Sequence, residues 1–417
     1  MRFRPSRVAY ALAPLLLASL PGESPAVSAA PPRGDLAVLA KSSNAFGFEL
    51  YRRLKEGPGN RVFSPASVST ALAMAWGGAK GETAAEMQRV LRFPGTPAQM
   101  MQASGALTAA LRDPGREVVF RIANRLFGER TYRFEPVFLE ATKAAYGASL
   151  EPVDFRGATE AARARINAWV EEQTEKRIAN LVPPGVLDED ARLVLVNALY
   201  FLGDWLEPFE KEATRPAPFH VSTTAKNDVP TMHRTDELRY VRRPGRQALE
   251  LPYEGNTMSL LVVLPDAVDG LPVLEDSLTA DGLEQIVGGL APARVAVALP
   301  KFEVNPTASS PLGDLLKAMG MPIAFDRKRA DFTGIANPPK PEDRLFIGQV
   351  FHKAFVKTDE KGTEAAAATA VAMFRATGMP AAPPVEFKAD HPFLFFIRDN
   401  ASGLVLFMGR VTDPSMS

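Results

Sequence analysis

Four histidines and many scattered carboxylates are the groups with which this 417-residue chain could do acid–base or metal chemistry. His220, His233, His352 and His391 share no metal-ligand spacing, and there is no H-E-x-x-H helix. A G-x-S-x-G nucleophile elbow, an S-x-x-K pair and the Gly-rich phosphate loops are equally missing. Spacing alone does not pick out a carboxylate pair of the glycosidase kind. The chain holds no cysteine, which excludes disulfides, thiolate metal sites, cysteine-protease chemistry and lipid attachment through an N-terminal Cys. The expectation is a protein that is not an enzyme and needs no metal or cofactor.

Chemistry done to the chain is a different matter. The segment TDEKGTEAAAATAVAMFR, Thr358–Arg375, is rich in Ala and Glu, and its simplest reading is a helix. Gly362, the scarcity of large side chains in Thr363–Ala372 and the Pro-rich stretch Gly378–Pro384 all weaken that reading. In extended form, alternation sends Thr363, Ala365, Ala367, Thr369, Val371 and Met373 to one face, all small or apolar. Such a face could enter a gap in a sheet without burying a charge, while Glu364 points the other way. Loop, helix and inserted strand are all open to this segment at little steric cost.

The elements that must position it belong to an α+β pattern without a regular βαβ rhythm. Apolar periodicity predicts helices over Leu36–Leu54, Ser67–Trp76, Thr83–Leu91, Pro97–Leu111, Glu135–Tyr146 and Ala158–Arg177. Strands are predicted at Val118–Phe127, Leu193–Leu202, Ala248–Leu251, Met258–Leu264, Val295–Leu299, Phe351–Lys357, Phe393–Arg398 and Leu404–Arg410. The run LVLVNALYFL at Leu193–Leu202 suits a strand buried on both faces.

Lys plus Arg and Asp plus Glu number 48 each, so no net field favours nucleic acid or an anionic membrane. Met1–Arg7 carries three arginines, Val8–Leu20 is an apolar stretch, and AVSAA at Ala26–Ala30 follows, the pattern of an export signal. No later segment approaches the run of about 18 apolar residues that a membrane-spanning helix needs. Residues 1–30 are therefore expected to be a signal peptide, 31–35 a spacer and 36–417 one domain, secreted or periplasmic.

DEKGTEAAAAT resembles the proximal hinge of inhibitory serpins, and the likeness extends in order along the chain. NRVFSPASVSTALAMAWGGAKGET (Asn60–Thr83), LVLVNALYFLGDWLEPF (Leu193–Phe209), LELPY (Leu249–Tyr253), ALPKFEV, GMPIAFDRKRADFTGI, VFHKAFVKTDE and DHPFLFFIRDNASGLVLFMGRV carry it. The resemblance implies a single domain with three mainly antiparallel or mixed sheets, eight or nine helices and an exposed reactive-centre loop at about 360–384. It also implies a monomeric serine-protease inhibitor that acts as a suicide substrate, with cysteine proteases as a second target class. The loop is bait, the protease forms a covalent acyl-enzyme, and the cut loop then enters the central sheet. A non-inhibitory carrier or folding factor is the alternative, although such members often depart from the small-residue hinge seen here.

Residue by residue, the resemblance makes Glu360, Gly362, Thr363, Glu364, Ala365, Ala366, Ala367, Ala368 and Thr369 the hinge. The family's loop length places the cut at Ala376–Thr377, suiting elastase-like or subtilisin-like enzymes; one residue earlier, Arg375–Ala376 would suit trypsin-like ones. Ser64, Ser67, Asn197 and His352 correspond to a cluster that controls sheet opening, and Trp205, Lys301 and Glu360 to the region where the loop first enters. The segment corresponding to the family's basic heparin helix, Pro97–Arg112, has only Arg112 as a basic residue, so no strong heparin site is expected. Inhibition rates measured with and without heparin should therefore agree, and a large acceleration would contradict this.

Overall fold

The computed structural model describes residues 33–111, 117–306, 309–363 and 382–416. The signal expectation at 1–30 and the first two residues of the spacer expected at 31–35 lie outside these residues, as do the hinge from Glu364 onward and both candidate bonds, Arg375–Ala376 and Ala376–Thr377; the rest of that spacer is helical, in Arg33–Leu54. The described residues hold nine α-helices and three sheets of nine, six and two strands, the α+β architecture expected.

The six-stranded sheet carries the candidate site. Its strands are β1 (Val119–Glu129), β2 (Ser149–Val153), β3 (Leu193–Asp204), β4 (Phe302–Val304), β5 (Val356–Thr358) and β6 (Gly362–Thr363), in the order β4-β5-β6-β3-β1-β2. All pairs are antiparallel except β1 with β2. The nine-stranded sheet is built around Phe393–Asp399 and Val405–Val411, whose side chains are buried on both faces. That is what an unbroken run such as FLFFIRD requires, since neither side could face water.

Helix α1 (Pro65–Trp76) packs against both sheets. Its sequence, PASVSTALAMAW, is small or apolar on nearly every face, so it suits a position enclosed on all sides. Ser64 caps it, accepting from Ser67 N at 3.1 Å, with Pro65 in the first turn where no N–H is needed.

Strand β3 serves two separate cores through its alternation. Leu199 and Phe201 join the main core, whereas Val194 and Val196 join a second cluster under helix α2 (Thr159–Gln173). That cluster is centred on Phe127, Phe155, Ile166, Trp169 and Val170.

Two sequence expectations need correction. The helix predicted over Ala158–Arg177 stops at Gln173, because Thr174 turns its hydroxyl back to Val170 O at 2.8 Å and Glu175 and Lys176 adopt left-handed backbone. The strand predicted over Phe351–Lys357 is divided: Phe351–His352 pairs with Ser310–Pro311, while β5 pairs with β4.

Trp169 anchors α2, with the Arg125 guanidinium 4.9 Å above its ring and Phe127 edge-on at 5.8 Å. Truncation to Ala should cost about 3–5 kcal/mol. Hydrogen exchange should show the loss first in 159–182, with main-core amides keeping their protection.

Candidate functional site

Gly362 and Thr363 are wedged between β5 and β3, with Gly362 opposite Asp204 and Thr363 opposite both Gly203 and Thr358. Only a glycine fits at 362. A Cβ there would lie 2.0 Å from Gly203 O and 2.7 Å from the Asp204 Cα, backbone that cannot move aside without parting the strands. Gly203 is confined in turn by the rings of Phe201 and Tyr253. Thr363 points inward, buried, with its hydroxyl 2.6 Å from the Tyr253 hydroxyl and 3.4 Å from that of Thr358.

The turn before it is held by its carbonyls. Trp205 N donates to Lys361 O (2.7 Å), the Trp205 indole Nε1 to Asp359 O (2.9 Å) and Phe209 N to Glu360 O (2.8 Å). The indole stacks on Tyr253 with centroids 4.7 Å apart and planes 7° from parallel. The Lys301 ammonium reaches the Glu360 carboxylate at 2.8 Å. Burial works against charge on Glu360, but the Lys301 hydrogen bond and neighbouring donors outweigh it and hold the carboxyl below its ordinary value. Trp205, Lys301 and Glu360 are thus brought together at the base of the hinge.

A second polar group lies further down the same sheet. Ser64 N donates to His352 Nε2 at 3.0 Å, Ser67 Oγ donates to Asn197 Oδ1, and Asn197 Nδ2 donates to Asn124 Oδ1 at 2.6 Å. The chain of contacts ends where Asn124 Nδ2 donates to Tyr146 O at 2.9 Å. It links α1 to β3 and β1 on one side and to the 351–352 segment on the other. A buried network of this kind is stable only while every member keeps its partner. Ser64, Ser67, Asn197 and His352 all belong to it.

Asn124, Tyr253, Gly203 and Phe209 were not singled out as site residues from sequence. The signals are slight: one amide inside the mixed strand VFRIANRLFGE, Val119–Glu129, and the Tyr and Gly inside the motifs LELPY and YFLGDW.

With this geometry established, the comparisons with known proteins are specific. The family model "Serpin (serine protease inhibitor)" matches residues 41–414, and the chain belongs to the serpin family. It is 40% identical over 386 residues to the leukocyte elastase inhibitor of Equus caballus, covering 90% of this chain and 99% of that one. Among solved structures it superposes on cleaved Serpin 42Da with a TM-score of 0.81 at 32% identity, covering 92% of this chain and 99% of that one. Uncleaved ovalbumin gives 0.78 at 31%, covering 90% and 100%.

His352 provides a test of the polar network. Its Nε2 accepts a hydrogen bond and must stay unprotonated, and burial pushes its pKa down to about 4 from an ordinary 6.5. The unfolded chain takes up the proton near pH 6.5 and the folded chain only near 4. Its contribution is therefore complete above about pH 6.5, declines as pH falls and is gone below about 4, a change of roughly 3 kcal/mol. The stability gap between the protein and His352→Phe, from denaturant midpoints, should change by that amount between pH 7.5 and 4. A pH-independent gap would contradict the assignment.

Proposed function

We propose that this chain is an exported inhibitor of serine proteases that works as a suicide substrate. A protease cuts the loop, and the freed N-terminal side of the loop inserts into the six-stranded sheet before the acyl-enzyme can hydrolyse. The observation that carries this reading is the pairing of Gly362 and Thr363 between β5 and β3, the place where an insertion would begin.

Continued beyond Thr363 at the same pairing, Glu364 would face Leu202, Thr369 would face Asn197 and Met373 would reach Leu193, where β3 begins. The parity set by Thr363 sends Ala365, Ala367, Thr369, Val371 and Met373 inward and keeps Glu364 on the outer face. No charge need be buried on that path, and each new ladder bond adds about 0.5–1.5 kcal/mol net. Thr369 would bring a hydroxyl to the Asn197 network, offering polar partners as the network rearranges.

The bond Ala376–Thr377 is the preferred bait, with Arg375–Ala376 as the neighbouring register. A small residue before the cut suits an elastase-like enzyme, and the similarity to leukocyte elastase inhibitors supports the same class. Export rests on the arginines of Met1–Arg7, the apolar Val8–Leu20 and the small residues of Ala26–Ala30.

Mixing the protein with elastase, subtilisin, chymotrypsin and trypsin should give a denaturant-stable covalent band with at least one of them. The released fragment should begin at Thr377, or at Ala376 if the arginine register is used. Thr369→Arg should convert inhibition into plain cleavage, because a cation on the inward face opposes entry. Cleavage with no covalent band from any of the four enzymes would refute the inhibitory reading.

A further inference from the structure

Val385–Lys388 is the first described strand after the candidate bonds, and it lies at the edge of the nine-stranded sheet. It pairs on one side only, in parallel with Ala291–Pro300. Of its four residues, only Phe387 is buried. A short parallel edge strand held by one buried side chain is weakly attached by itself.

The residues that follow supply a clasp. Ala389 N donates to Ala298 O at 2.9 Å, and His220 N donates to Asp390 O at 2.7 Å. His391 is buried, and its two ring nitrogens meet two acceptors. Nδ1 lies 2.8 Å from the Asp390 carboxylate, and Nε2 lies 2.8 Å from Pro265 O at the end of the strand Met258–Pro265. An ionised carboxylate and a carbonyl can only accept, so both ring nitrogens must donate. A neutral imidazole has one N–H and would set a lone pair against one of these oxygens. The geometry therefore requires the imidazolium.

The surrounding charges agree with that state. Asp266, next after Pro265, is a second nearby carboxylate and is shared with Arg242 Nη2 at 3.1 Å. On the remaining side stand His220 and, opposite it in the ladder, Lys226. Burial works against charge on His391, but the Asp390 hydrogen bond, the Pro265 carbonyl and the two carboxylates outweigh it and raise its pKa above the ordinary 6.5. Burial likewise opposes charge on Asp390, yet His391 holds that carboxyl below its ordinary value, so it stays ionised near neutral pH.

We propose that the imidazolium of His391 pins the end of Val385–Lys388 to the nine-stranded sheet, and that losing its proton lets this edge strand peel. The strand's standing as the loop's C-terminal attachment rests on the reading above, whereas the pin itself does not. Peeling that reaches Asp390 parts the ring from its acceptors, so it then titrates near 6.5, below its closed-state value. The pin is therefore complete below about pH 6.5, weakens as pH rises and is lost above the closed-state value. His352 has the opposite sign, since its contribution is lost on acidification. One buried histidine guards the alkaline side of neutrality and the other the acid side.

Two measurements on the intact protein test the pin: NMR titration of the four histidine rings and hydrogen exchange at 385–388. The His391 ring, identified as the signal missing from His391→Lys or His391→Gln, should titrate above 6.5 with both nitrogens protonated at lower pH. Corrected for intrinsic exchange, opening at 385–388 should rise about three- to tenfold between about pH 6 and 8.5, the range expected when a charge-assisted hydrogen bond becomes a neutral one. His391→Lys carries a fixed charge and should show no such rise. His391→Gln should open at every pH as the unsubstituted protein does at the alkaline end. The same rise in His391→Lys, or a His391 ring that titrates at or below 6.5, overturns the pin. If none of the four rings titrates above 6.5, it is overturned with no variant needed. Neither measurement involves a protease, so the inhibitory reading stands or falls separately on its covalent band.

Discussion

Gly362 and Thr363 are held in the sheet by hydrogen bonds on both sides, and the sequence of their surroundings follows from that. A glycine is needed where the backbones come within contact of each other, and an inward hydroxyl is needed where Tyr253 and Thr358 wait to meet it. Trp205 and Phe209 are placed where their N–H groups can take the carbonyls of the preceding turn. Gly362 and Thr363 occupy the gap between β5 and β3, where any longer strand would have to pair.

The two polar arrangements along the path differ in kind. At the top, a partly exposed Lys301 reaches the buried carboxylate of Glu360 as a single ion pair. Lower down, His352, Ser64, Ser67, Asn197 and Asn124 form an enclosed network in which losing a partner costs more than the bond itself is worth. The first is one isolated pair, and the second can be rearranged only as a unit.

Much of this could be read from the amino acids. The α+β class, the long buried strand and the small inward face of the hinge follow from periodicity and side-chain size, which are local properties. The Ser64–Asn197–His352 grouping came from motif likeness, because nothing local says that positions 64 and 352 meet. Asn124 carries no such signal, since one amide between arginines in VFRIANRLFGE has no period of its own. The end of the helix at Gln173 is hidden in the sequence because Glu175 and Lys176 are good helix formers. Their left-handed geometry is imposed by Thr174 and by packing, not by their own preference. The break between Phe351–His352 and β5 depended likewise on partners far away in sequence.

The order of elements along the chain has one more consequence. Phe393–Asp399 and Val405–Val411 lie in the middle of the nine-stranded sheet, and both come after the loop. A molecule severed in that loop keeps its C-terminal piece only by non-covalent pairing, since no cysteine ties it down. Once separated by denaturation, the two pieces could recombine only by meeting each other, so recovery would depend on concentration where folding of the uncut chain does not.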